Sequence, residues 1–89
     1  MSQVLLAPSA RKALDRKQPA KRDDIRHAIY RFAAAPFAKN NNVRPLAGRK
    51  GGTRIRVGDW RVICELKQDT LLVLDILPRG EAYSKKNWR

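Results

Sequence analysis

The stretch TRIRVGDWRVICEL, residues 53–66, leaves a chain very few ways to fold. Two runs rich in β-branched residues flank Gly58-Asp59, and glycine in first place suits a two-residue hairpin turn. With that turn Val57 faces Trp60 and Ile55 faces Val62, four apolar residues on one side of the ribbon. Arg56 then faces Arg61, with Arg54 two residues along on the same side. A slip of one residue would exchange the faces and bury arginine, so the hydrophobic pattern sets the register. Opposed like charges cost a strand pair roughly 0.2–1 kcal/mol. A chain that tolerates such a cost often does so where it binds something.

The rest of the chain organises around this hairpin as one domain spanning residues 1–89. Gln3 to Ala7 is a short apolar run suited to an edge strand. Pro8-Ser9 offers a helix start with Ser9 as N-cap, and a first helix would run to about Gln18. Pro19 fits the first turn of a second helix ending near Ala35, just before Pro36. There Ile25, Ile29 and Phe32 make one apolar stripe, so the two helices form a hairpin. His27 lies within the second helix and is assigned no role, since a lone helical histidine is usually a surface or packing residue. Lys39 to Asn42 is a polar connection, continued by the basic loop VRPLAGRKGG with Leu46 as its apolar anchor. Strands at about 53–57, 60–66 and 71–77 then form an antiparallel meander. The last of them, LLVLDIL, suits a central strand covered on one face by the helices.

Charge and cysteine usage narrow the function. A formal charge of +12 on 89 residues predicts attraction to nucleic acid, an acidic protein or anionic lipid. Lipid is the weakest of these, because the basic residues are not confined to one amphipathic helix. The opening MSQVLLAPSA is too short and polar for a signal peptide, and no apolar run approaches the ~20 residues of a membrane span. A cytoplasmic protein with no membrane association is expected. Cys64 is the sole cysteine, so no internal disulfide is possible, and its place in a strand suits a small buried hydrophobe. One cysteine and one histidine without paired spacing cannot build a zinc tetrahedron, so neither metal nor other cofactor is expected.

Arginine is suited to phosphate, being planar, permanently charged and able to grip two oxygens at once. Beyond the third meander strand, PRGEAYSKKNWR supplies Arg79, Tyr83, Lys85, Lys86, Trp88 and Arg89. Aromatic rings can stack on exposed bases while neighbouring cations hold the backbone. Arg49 and Lys50 of the basic loop join Lys85, Lys86 and Trp88 as candidate RNA-binding residues.

A helical hairpin, then RPLAG, then TRIRVGDWRVICEL, then an apolar strand and a closing Arg…Tyr resembles the RelE/ParE superfamily of bacterial type II toxins. The likeness spans nearly the whole chain and is most specific over residues 44–66. It implies an α+β fold, β-α-α-β-β-β with a short C-terminal strand or helix. The N-terminal helical hairpin would pack on a small, mainly antiparallel twisted sheet. RelE-like members cut messenger RNA in the ribosomal decoding site, whereas ParE-like members poison DNA gyrase. By the resemblance, Arg54, Arg56, Arg61, Arg79 and Tyr83 stand where the RelE branch keeps its catalytic residues. It implies a metal-independent attack of a ribose 2′-OH on the adjacent phosphate, leaving a 2′,3′-cyclic phosphate and a 5′-OH. Arg61 and Arg79 would stabilise the developing charge, and Tyr83 would stack on or orient a base. Arginine stays protonated to pH ~12, so it makes a poor general base. The resemblance further implies an acidic antitoxin in a hetero-oligomer, with ribosome and mRNA as targets, or DNA gyrase in the alternative. A catalytically silent relative that only binds antitoxin or nucleic acid is the third reading.

Overall fold

A computed structural model describes residues 3–80. Seven elements follow in the order β1 (Gln3–Leu6), α1 (Pro8–Asp15), α2 (Pro19–Ala34), β2 (Val43–Pro45), β3 (Gly52–Val57), β4 (Trp60–Lys67) and β5 (Thr70–Pro78). The strands make one five-stranded sheet in the order β1-β5-β4-β3-β2, parallel between β1 and β5 and antiparallel elsewhere. The helical hairpin covers one face of it, and the expected α+β class holds. The short C-terminal strand or helix expected after β5 lies outside the described residues, apart from a helical start at 79–80.

The first helix begins earlier than its expected Ser9 cap, and the second begins at Pro19 as expected. Ala7, not Ser9, is the N-cap of α1, with no side-chain cap, and Gln18 plays the same part for α2. Each precedes a proline, which pushes its predecessor to extended backbone (ψ 158° at Ala7, 150° at Gln18). The proline then takes the first helical turn, where its missing N–H has no partner to lose. α1 ends at Asp15 rather than at the expected Gln18, which is held extended by Pro19 and is not helical.

Helix stripe and sheet face meet in the core. Ile25, Ile29 and Phe32 of α2 and Ala10 and Leu14 of α1 pack on Ile55, Val62, Cys64, Leu71, Val73 and Ile76. The hairpin register is the one the sequence demands, Val57↔Trp60, Ile55↔Val62 and Arg56↔Arg61. Cys64 is fully buried, and burial pushes its thiol pKa up to about 12, which removes it from thiolate chemistry. Lys17 at the end of the α1 segment places its ammonium 3.7 Å from the Trp60 ring centroid, tying the helical layer to the β-hairpin.

Two features depart from a simple meander. The first is a bulge opposite Ile63/Cys64, where Ile63 pairs with Asp75 but Cys64 pairs with Val73. Strict alternation from Leu71 and Val73 would drive Asp75 into the helix-facing core. Leu74, the extra residue, shifts the phase by one, so Ile76 enters the core instead. Asp75 then accepts a hydrogen bond from the Ile76 backbone N–H at 2.8 Å. The second is β2, which pairs Val43↔Ile55 and Arg44↔Arg54 inside what reads as a loop. With only three residues and a proline it carries no periodic signal of its own, and Pro45 is tolerated because β2 is an edge strand.

On the face away from the helices, Ile63 and Leu77 form a second small core with Leu46 and Leu74. Leu46 is thus the loop's anchor, as its sequence suggests, and its N–H bonds Gly52 O at 3.0 Å. The loop returns through Gly51, at φ +76°, where a Cβ would stand 2.7 Å from the Leu66 carbonyl oxygen. That oxygen belongs to backbone and cannot swing aside. Gly51→Ala is therefore expected to cost about 1–3 kcal/mol, combining left-handed strain with the clash. A urea denaturation midpoint equal to that of the parent would contradict this close approach.

Candidate functional site

The Gly58-Asp59 turn, the start of β4 and the end of β5 are laced together by the backbone. Gly58 adopts φ +59°, the conformation the turn requires. Trp60 pairs with Pro78, and the Arg79 N–H donates to Asp59 O at 2.9 Å. Arg79 is thereby held beside the hairpin tip that presents Arg56 and Arg61.

Arg61 is only 7% exposed, an unusual setting for a guanidinium. Its Nη1 donates to the carbonyl oxygens of Gly58 and Trp60, both at 2.9 Å. Arg56 is exposed and is steadied by Asn42, donating from Nη2 to Oδ1 at 3.1 Å and from its backbone N–H to Asn42 O at 2.8 Å. Asn42 is itself fixed by a hydrogen bond from its N–H to Asn40 Oδ1 at 3.0 Å. The opposed pair Arg56–Arg61 is thus pre-set by neutral acceptors, with no carboxylate in hydrogen-bond or ion-pair contact among the described residues.

These groups converge on an open cleft of about 580 Å³ between α2 and the hairpin. Arg56 and Arg61 contribute to its lining from the sheet, Arg79 from just beyond β5, and Asp24, His27, Ala28 and Arg31, one stripe of α2, from the helices. Its lining holds four arginines against two carboxylates, Asp24 and Asp59, so its net charge is positive. Arg56 and Arg61 are shared with a smaller depression of about 180 Å³, lined also by Arg44, Arg54, Asn41 and Asn42. The two hollows share Arg56, Arg61 and Asn42 and so make one continuous basic track.

Among the sequence-predicted residues, Arg56, Arg61 and Arg79 are brought together, and Arg54 lies in the adjoining hollow. Tyr83, Lys85, Lys86 and Trp88 lie outside the described residues. Arg49 and Lys50 sit at the other end of the hairpin, along a separate groove with Leu5 and Leu72. Arg49 is occupied there, its Nε donating to Glu65 Oε2 at 2.6 Å, while Lys67 reaches the other oxygen at 3.3 Å. The Arg49 hydrogen bond holds the Glu65 carboxyl below the ordinary glutamate range, against a burial that acts the other way. The stabilisation from this pairing is present above the unfolded-state value of about 4.3 and lost as pH falls through the lower folded-state value. Arg49→Ala is expected to destabilise the protein by about 1–3 kcal/mol at pH 7. Its gap from the parent should close in acid, and denaturation curves at pH 7 and pH 3 with the same gap would contradict the assignment.

Arg44 and His27 are among the lining residues that the sequence did not mark as candidates. Arg44 joins the track only because β2 pairs with β3, and a strand that short leaves no pattern to read. His27 has the one usable sequence signal: it stands off the Ile25–Ile29–Phe32 stripe and one turn before Arg31. Among the described residues no group of three His, Cys, Asp or Glu could hold a metal ion, and no helix is long and apolar enough to cross a membrane.

The family model described as ParE toxin of type II toxin-antitoxin system, parDE, matches residues 4–83. The fold is similar to the RelE-RelB complex of Pyrococcus horikoshii OT3, at TM-score 0.76 and 24% identity over 89% of this chain and 96% of that one. It is also similar to the YoeB/ParE toxin of Agrobacterium tumefaciens, at 0.74 and 19% over 88% and 98%. The RelB-RelE antitoxin-toxin complex of Methanococcus jannaschii follows the same fold, at 0.71 and 23% over 90% and 95%. No curated protein matches the sequence.

Proposed function

The chain belongs to the ParE toxin family of type II toxin-antitoxin systems, and from that premise we propose that it is a ribosome-dependent mRNA endonuclease. The observation that supports this reading is the convergence of Arg56, Arg61 and Arg79 on one open cleft with Arg54 beside it. A cleft of fixed guanidiniums binds the phosphate of an RNA strand, and grips it harder as charge builds on its oxygens. The ribose 2′-OH attacks phosphorus, the P–O5′ bond breaks, and a 2′,3′-cyclic phosphate and a 5′-OH result. Arg61 and Arg79 stabilise the pentacovalent charge, Arg54 and Arg56 hold the flanking backbone, and Tyr83 stacks on a base at the scissile step. The decoding site of the ribosome holds the message in place, so that small residual reactivity becomes an effective cut. In the cell the cytoplasmic antitoxin is an acidic chain that covers this +12 surface in a hetero-oligomer. Two solved structures of similar fold are RelE-RelB complexes.

A second reading rests on the family model itself, which is the ParE one: inhibition of DNA gyrase by the same basic surface. The two separate cleanly when the protein is induced without its antitoxin and new 5′ ends are mapped across all transcripts. Cuts within translated codons that vanish when translation is blocked are the expected result. Intact messages with broken or relaxed DNA would overturn the nuclease reading in favour of gyrase.

A further inference from the structure

A cleft of arginines can bind and polarise a phosphate but cannot take a proton at neutral pH. We propose that His27 of α2 is the general base of the arginine cleft, removing the proton from the attacking ribose 2′-OH; this rests on the RNA-cleavage reading above. The juxtaposition comes from the fold. His27, on one stripe of α2, lines the same cleft as Arg56, Arg61 and Arg79. The other lining side chains with polar atoms are Asp24 and Arg31 on the same helix, Asn40 and Asn42 before β2, and Asp59 at the hairpin tip. The amides do not titrate and the guanidiniums do not deprotonate, while carboxylates are weak bases for an alcohol. Asp24 is also engaged, with Lys21 Nζ 3.9 Å from its Oδ2. Imidazole is the remaining group matched to proton transfer near neutrality.

His27 has the features of a site residue rather than a packing one. It is exposed at the cleft while Ile25 and Ile29 on the same helix are buried. Among the described residues no hydrogen bond or ion pair engages its ring, so the ring is available to a ligand. The reaction balances with this one base. Neutral His27 takes the 2′-OH proton as the 2′-oxygen bonds to phosphorus. The P–O5′ bond breaks, and the leaving 5′-oxygen takes a proton from water. The hydroxide so formed neutralises the imidazolium and restores the enzyme.

The test uses the full chain on purified ribosomes programmed with a defined message, with cleavage rates measured from pH 5 to pH 9. His27→Gln is expected to cut at least ~10²-fold more slowly and to lose the acidic limb of the parent's pH profile, with an unchanged melting curve. His27→Ala should recover part of the rate when imidazole is added. A His27→Gln variant that keeps both rate and profile, or a His27→Ala variant deaf to imidazole, would overturn the assignment while leaving the nuclease reading intact. A parent protein that never cuts the message would remove both together.

Discussion

Arg61→Ala is expected to lower translation-dependent cleavage by about 10²–10³-fold, the usual loss when one preorganised donor to a developing charge is removed. The reason lies in how Arg61 is held. Its Nη1 is committed to the Gly58 and Trp60 carbonyls, so the guanidinium plane is fixed and Nε and Nη2 remain for a phosphate. Fixing the donor before the substrate arrives means that little reorganisation is needed as charge develops. Arg61→Lys separates geometry from charge, since an ammonium keeps the +1 but not the planar fork. It should recover only part of the lost rate. The alanine variant also leaves two carbonyl oxygens without their donor, costing about 1 kcal/mol of stability, so rates belong beside melting curves. A folded Arg61→Ala protein that cuts at the parental rate would remove Arg61 from the site.

Ile25→Ala should have the largest effect on stability. Ile25 is fully buried in the seam between α2 and the sheet, and truncating such a side chain costs about 2–5 kcal/mol through lost transfer energy and the cavity left behind. For a domain of this size each kcal/mol moves Tm by roughly 4–8 °C. The melting point should therefore fall by roughly 8–40 °C, the energy lost being a large share of the about 5–15 kcal/mol that a typical domain has in hand. His27→Gln, two residues along on the exposed side of the same helix, should change stability by no more than about 0.5 kcal/mol. That contrast tests which face of α2 is which. Equal melting points for the parent and Ile25→Ala would mean that α2 does not pack through Ile25.

The candidate site was partly readable from local pattern and partly not. The pairing of Arg56 with Arg61 follows from alternation on either side of Gly58-Asp59, because a one-residue slip would bury charge. The Ile25–Ile29–Phe32 stripe, the burial of Cys64 and the anchoring by Leu46 follow from similarly short-range rules. Each is decided by neighbours within a few residues, where periodicity and turn chemistry act.

Other features depend on contacts between segments far apart in the chain. Nothing near Asp75 announces the bulge that keeps it out of the core; that needs β4 alongside as a ruler. Val43–Pro45 becomes a strand only because β3 offers it an edge, and Arg44 joins the basic track on that account. Arg79 stands beside Arg61 because its N–H finds the Asp59 carbonyl. His27 shares a cleft with the arginines only because the helical hairpin lies back across the sheet. Side-chain alternation is a local property and could be read from the sequence. The meeting of helix and sheet residues in one cleft is set by which surfaces bury together, and only the tertiary structure decided that.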